Sequence, residues 1–228
     1  MDGDGLLMSV PIQFFILRRN KMAFTYFFRD KLALDTIIEH ALPVLKARNH
    51  IHIWDAGCAM GPEPYSIAIM FRENMGKFLF RNVKIHATDI DECDFGSIIK
   101  EGVYPEEQVK RMPQDIMERY FIRIGDTSDY RISDEIRDSV TFRRHDLLSL
   151  TPIRNNLGLI VCKNVLLHFK EEERVKVISM FHSALDECGF LAMEQTQKMP
   201  EELAHMFEPL VSNAQVFRKK AIASQKAI

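Results

Sequence analysis

A chain of 228 residues, 46% hydrophobic and 27% charged, has the composition of one globular unit with a substantial core. Its formal charge of −2 and pI near 6.5 give no support to nucleic-acid binding through bulk electrostatics. No stretch approaches the roughly 18 uninterrupted apolar residues of a membrane span.

Residues 1–21 hold the apolar segment Leu6 to Leu17, broken by Ser9, Pro11 and Gln13. It lacks the basic start and small-residue cleavage site of a secretion signal. The basic cluster Arg18-Arg19-Asn20-Lys21 reads as a solvated helix end or a docking site. Thr25 to Arg29 then lead into Leu32, Leu34, Ile37, Ile38, Ala41 and Leu42, a helical stripe expected to stop at Pro43. Arg29 itself reads as a helix-start salt bridge with Asp30 or Asp35 unless a motif says otherwise.

Ile51 and Ile53 alternate with His52 and run through Trp54 to Asp55 as a strand. Gly57 and Gly61 punctuate a turn, and Pro62 and Pro64 open an apolar run from Tyr65 to Phe71 that reads as a buried helix. Glycine suits a backbone with positive φ or a close ligand approach, and free N–H groups at a helix start suit a polar or anionic ligand. Such a corner binds nucleotide-like cofactors, but it can equally be architectural, and Asp55-x-Gly57-x-x-x-Gly61 lacks the third glycine of a dinucleotide fingerprint.

A second strand, Val83 to Thr88, ends in Asp89-Ile90-Asp91, about 30 residues after the glycine turn, the length of a βαβ unit. A carboxylate there accepts ribose hydroxyls or caps the next helix; Asp89, at the strand tip, favours the ligand role. Next come a helix over Phe95 to Lys100, a Gly102-Val103-Tyr104 turn and a helix over Gln114 to Tyr120. Short β-like pieces follow at Tyr120 to Ile124 and Tyr130 to Ile132, joined by Gly125 to Asp129. Val140 to His145 reads as the third strand with Asp146-Leu147 at its tip, where a lone Asp is also a turn former.

Leu157 to Cys162 is nearly all apolar, as a strand covered on both faces should be. It delivers Lys163-Asn164 to the carboxyl edge, where open α/β sheets place ligands. A helix over Glu171 to Leu185, a turn at Asp186 to Gly189 and a strand from Phe190 to Glu194 follow. Residues 201–210 read as helical, Ala214 to Lys219 as an antiparallel closing strand, and the tail Lys220 to Ile228 as frayed. Cys58, Cys93, Cys162 and Cys188 are isolated, with no metal-ligand spacing, and read as reduced thiols of a cytoplasmic protein.

The stretch Gly57-Cys58-Ala59-Met60-Gly61-Pro62-Glu63-Pro64-Tyr65-Ser66 resembles the Gly-Cys-Ser-Thr-Gly-Glu-Glu-Pro-Tyr-Ser signature of the CheR family, the chemotaxis-receptor glutamate methyltransferases that use S-adenosylmethionine. Four further stations match in order: Thr25-Tyr26-Phe27-Phe28-Arg29; Ala87 to Asp91; Gly102-Val103-Tyr104 with Arg119-Tyr120-Phe121; and Cys162-Lys163-Asn164-Val165-Leu166-Leu167-His168-Phe169. The resemblance implies an α/β fold, a Rossmann-like methyltransferase sheet with an antiparallel closing strand and a small inserted β-subdomain at about 104–139. It divides the chain into a remnant segment (1–21), a methyltransferase domain (22–220) and a tail (221–228). Relatives carry a helical N-terminal domain that helps grip the receptor; here the expectation is that it is absent or reduced to one short helix.

The same resemblance implies the site. Arg29 would lie beside the sulfonium and orient the acceptor carboxylate, its guanidinium fork matching that group. Thr25, Gly57, Cys58, Glu63, Asp89, Ile90, Asp146, Leu147, Lys163 and Asn164 would join it around the cofactor. Glu63 would meet the ammonium of the methionine part, or favour the helix dipole, or both. Asp146 would take the adenine amine, and Cys58 reads as a small packing residue. Lys163 stands where relatives have arginine, and His168 where a tyrosine is placed at the reaction centre; His168 reads as catalytic or as a packed core histidine.

The implied reaction is one in-line displacement, in which a glutamate carboxylate takes the methyl and S-adenosylhomocysteine leaves. The nucleophile is already ionised, so no general base is needed and no metal is expected. The implied partner is a methyl-accepting chemoreceptor's cytoplasmic helices, acted on by a monomer with no nucleic acid and no membrane span. A different acceptor, or a module that binds the cofactor without transferring methyl, are the competing readings.

Overall fold

A computed structural model describes residues 25–90 and 93–220. The readings placed on residues 1–21, on Asp91 and on the 221–228 tail lie outside them.

Helix α1 (Lys31–Thr36) continues through a π-helical turn (Ile37–Ala41) into α2 (Leu42–Leu45), then β1 (Ile51–Ala56), α3 (Pro62–Phe80), β2 (Val83–Asp89) and α4 (Phe95–Glu101). A small antiparallel sheet follows, made of β3 (Val103–Pro105), β4 (Phe121–Arg123) and β5 (Asp129–Ile132) in the order β3-β5-β4. It carries the short helices α5 (Glu106–Val109), α6 (Gln114–Tyr120) and α7 (Asp134–Arg137). The chain then returns through β6 (Val140–Arg144), β7 (Leu157–Cys162), α8 (Glu171–Ala184), β8 (Leu185–Met193), β9 (Phe207–Pro209) and β10 (Val216–Lys219).

The main sheet has seven strands in the order β6-β2-β1-β7-β8-β10-β9. Strands β6, β2, β1, β7 and β8 are parallel, and β10 closes the sheet antiparallel to β8. This is the Rossmann-like sheet with an antiparallel closing strand that the motifs implied. Ile51, Ile53, Ile85 and Ala87 point to one face, where they pack with Tyr65, Ile67 and Ala68 of α3. Trp54, Ile160 and Leu191 point to the other, against Val177, Ile178 and Phe181 of α8. Among the described residues no helix is long and apolar enough to cross a membrane.

Four elements differ from the sequence expectations. The first helix passes Pro43, because Leu42 N–H bonds Ile37 carbonyl in the π turn and Pro43 then falls in the first turn of α2, where its missing N–H costs nothing. Gly102-Val103-Tyr104 is not only a turn, since Val103 and Tyr104 pair with Arg131 and Tyr130. The 186–189 turn is the bulged start of β8: Arg48 pairs with Asp186, whose carboxylate also accepts the Cys188 N–H at 3.0 Å, and Leu185 pairs with Leu157. Only 201–206 are helical, as a 3₁₀ turn, and Phe207–Pro209 form an edge strand on β10.

Candidate active site

Strands β1, β2, β6 and β7 end together at the carboxyl edge, and their following loops enclose a cavity of about 370 Å³. Every residue expected at the site lines it: Thr25, Arg29, Gly57, Cys58, Glu63, Asp89, Ile90, Asp146, Leu147, Lys163, Asn164 and His168. Ala59, Thr88, His145, Leu148, Val165 and Phe169 also line it and were not singled out by the sequence.

The glycine turn is stitched to the end of β2, with Gly57 and Cys58 N–H donating to Thr88 carbonyl at 2.8 and 3.0 Å. Gly57 has φ +107°, and a Cβ there would lie 2.1 Å from Val165 Cγ2 in the loop after β7. Gly61, φ +99°, is equally closed, with Tyr104 Oη 2.7 Å from any added Cβ. Both glycines are therefore required by conformation and by space.

Asp89 is held at the tip of β2: Ala59 N–H donates to its Oδ2 at 2.9 Å and Ile90 N–H to its Oδ1 at 2.8 Å. Each carboxylate oxygen keeps a lone pair for a hydroxyl donor. Asp146 does what a turn former does, its side chain accepting Leu148 N–H at 2.8 Å, and still lines the cavity. The Cys58 thiol is buried, and burial, then Asp55 and Asp89, push it well above its ordinary range, so it packs rather than reacts.

The acidic centre lies deeper. Asp55 is fully buried, and no N–H or O–H donor among the described residues reaches its oxygens. Its side chain contacts the Glu63 carboxyl, and two carboxyl groups can hydrogen-bond only if one carries a proton. Burial first, then Glu63 and Asp89, hold Asp55 well above the usual carboxylate range. Burial raises Glu63 too, while Lys163, the hydrogen bond from Asp55 and Arg29 pull it down. Burial thus holds both carboxyls above the ordinary range, and Glu63 Oε1 is buried and without a hydrogen-bond partner among the described residues. A cationic group is what such an oxygen lacks.

Two cations line the same cavity and act on this acid centre. Lys163 Nζ, with its side chain 3% exposed, pairs with Asp30 Oδ2 at 2.8 Å, so part of its charge is spent on the segment before α1. Arg29 Nη2 donates to Asn164 Oδ1 at 3.1 Å, and its guanidinium lies over the Tyr26 ring at 5.9 Å. Asn164 sits at φ +59°, a conformation asparagine tolerates well. His168, in the 3₁₀ turn after β7, is exposed at the cavity and is not a packed core histidine. Glu194, just after β8, is 3% exposed and is raised by burial.

A family model described as "CheR methyltransferase, SAM binding domain" matches residues 23–216. The chain belongs to this family. The chemotaxis protein methyltransferase of Borreliella burgdorferi is 31% identical over 182 residues, 76% of this chain and 63% of that protein. The one from Listeria monocytogenes is 35% identical over 170 residues, 72% and 61% respectively. This chain thus spans less than two thirds of either relative. Among solved structures, the rRNA methyltransferase aviRa of Streptomyces viridochromogenes aligns with a TM-score of 0.51 at 11% identity over 86% of each chain, a likeness of fold alone. The cavity therefore sits in the domain that names the CheR family as cofactor-binding. Its donor set fits that cofactor: a buried anionic oxygen for an ammonium, a held carboxylate for ribose hydroxyls, and a turn with no Cβ where the chain comes close.

Proposed function

We propose that this CheR-family chain is an S-adenosylmethionine-dependent O-methyltransferase whose acceptor is a glutamate side chain of a chemoreceptor or related protein. The observation that carries the reading is the pairing, across one cavity, of the Asp55–Glu63 acid centre with the Arg29–Asn164 contact. One side suits a cationic cofactor and the other an anionic acceptor.

When bound, the cofactor supplies an electrophilic methyl on a sulfonium. Glu63 would hold its ammonium through the buried, unpartnered Oε1, with Asp55 beside it; a charged hydrogen bond of this kind is worth about 1.5–3 kcal/mol. Asp89 would accept ribose hydroxyls, with its rotamer set by two backbone N–H groups. Leu147 and Val165 would give the ring system apolar walls. Arg29, placed by Asn164, would fork the incoming carboxylate and align one oxygen with the methyl. An ionised carboxylate has no proton to lose, so no residue need act as a base. His168, at the cavity mouth, would contribute by contact with the acceptor.

The test is calorimetric titration with S-adenosylmethionine and S-adenosylhomocysteine, followed by methyl transfer to receptor cytoplasmic fragments. Binding of both and a base-labile ester on glutamate support the reading; Arg29→Ala should then lose transfer and keep cofactor affinity. Binding without transfer to any receptor fragment would favour a different acceptor, a reading to which the exposed His168 and the Asp30-engaged Lys163 lend weight. Absence of binding would remove the proposal.

A further inference from the structure

Parallel sheets are normally covered on both faces, because crossover helices pack on each side. Among the described residues one corner of one face is bare. The connection from β6 to β7, residues 145–156, contains only the 3₁₀ turn Leu147–Ser149, so no helix crosses back over β2 and β6. Strand β2 shows the result by alternation: Val83, Ile85 and Ala87 are buried beneath α3 and α4, while Lys84 is exposed and His86 half-buried on the other side. The register sets His52 of β1 beside Lys84, and Thr141 of β6 beside His86; Arg143, two residues along β6, shares that face and is exposed.

Cations predominate in the bare corner, with Lys84 Nζ also donating to the Asp138 carbonyl at 3.4 Å. His52 Nδ1 lies 3.1 Å from His86 Nε2, the two rings stack at 5.3 Å, and Arg154 Nη1 lies 2.7 Å from His52 Nδ1. The charged neighbours that act on this imidazole pair are Arg154, Arg143, Lys84 and His50, all cations or potential cations. Among the described residues no carboxylate forms an ion pair with Lys84, Arg143 or Arg154. In a chain of net charge −2 this is a local excess of cations that the described residues do not pair off. By charge its terminal segments do not complement this face: residues 1–24 and 221–228 carry Arg18, Arg19, Lys21 and Lys226 against Asp2 and Asp4.

We propose that the uncovered face of β2 and β6, centred on Lys84, His86, Arg143 and Arg154, docks an Asp/Glu-rich segment of a partner protein. The surface is polar where an obligate interface would be apolar, which fits a reversible, electrostatically steered contact. It is remote in chemistry from the acidic cofactor cavity, so the docking does not depend on what the cavity methylates.

Fluorescence anisotropy of a labelled twelve-residue poly-glutamate peptide, titrated with the full chain, tests this. The peptide should bind, and binding should fall as salt rises. Lys84→Glu with Arg143→Glu should weaken it about tenfold or more through like-charge contact. Reversing Lys100 and Lys176, elsewhere on the surface, should change it less than about twofold, and cofactor titration of both double variants should match the parent, showing that each folds. Thr141→Glu, which adds a carboxylate to the same face without removing a cation, should weaken binding too. Amide exchange should slow at 83–87 and 140–144 on peptide addition. No binding, equal loss in both double variants, or a duplex RNA of equal charge that binds this face more tightly than the peptide would overturn the proposal.

Discussion

The two ends of the central strands carry opposite chemistry. At the carboxyl end of β1 and β2, Asp55, Glu63 and Asp89 converge, and burial pushes Asp55 toward its protonated form. Toward the amino end of the same strands, His52 and His86 sit among arginines and a lysine, and burial holds His86 down to about 4. The acid end is enclosed, with Glu63 Oε1 unpartnered; the basic end is open, with no described carboxylate in an ion pair with Lys84, Arg143 or Arg154. The difference teaches that what is left unsatisfied at each end, rather than the strands themselves, defines the ligand each could take.

Breaking the enclosure of the acid end should have the largest effect. Gly57→Val places a side chain on Val165 at a backbone conformation reserved for glycine, and should cost about 2–4 kcal/mol with loss of cofactor binding. Denaturant midpoints and calorimetry check it; a variant that binds normally would show that the turn can re-form elsewhere. Next, Asp30→Ala strands the buried Lys163 charge and should cost about 2–3 kcal/mol, while adding Lys163→Met should restore much of it. If the double variant were no better than the single, the ion pair would not be the reason.

Asp89→Ala should leave stability nearly intact and weaken S-adenosylmethionine about 10- to 100-fold, read by titration. The smallest effects are the most diagnostic, because the two ends predict opposite pH slopes. Asp55 binds a proton in the folded state that the unfolded chain has lost, so its contribution is complete below the ordinary carboxylate range and fades as pH rises; the slope is at most about 1.4 kcal/mol per unit. His86 stays neutral when folded, so its contribution is present above 6.5 and fades as pH falls toward about 4. Asp55→Asn should flatten the first slope and His86→Gln the second, in urea midpoints measured across pH. Exchange of these outcomes would invert the comparison.

Much of this was legible in sequence, for physical reasons. Gly57, an acid at the tip of β2 and Asn164 after a wholly apolar strand are local signals, and the structure brings them to one cavity. The Asp55–Glu63 contact was not legible, because Asp55 reads as the end of a strand and only the folded turn brings Glu63 onto it. Lys163 was expected around the cofactor; its bond to Asp30 comes with that aspartate taking φ +58°, which no spacing signals. Strands β3 and β9 have three residues each, too few for a period to show.

The glycine turn is also braced from outside the main sheet. Tyr104, on β3 of the small sheet, donates its hydroxyl to Met60 carbonyl at 2.8 Å, and its ring packs edge-on with Phe27 at 5.0 Å, two residues before Arg29. One phenol thus touches both the glycine turn and the segment that carries Arg29, the arginine proposed to orient the acceptor. Thermodynamic reciprocity then applies: a molecule that grips the small sheet by moving Tyr104 changes cofactor affinity by the same factor that the cofactor changes its own. The small sheet would act as a dial on the cavity without entering it.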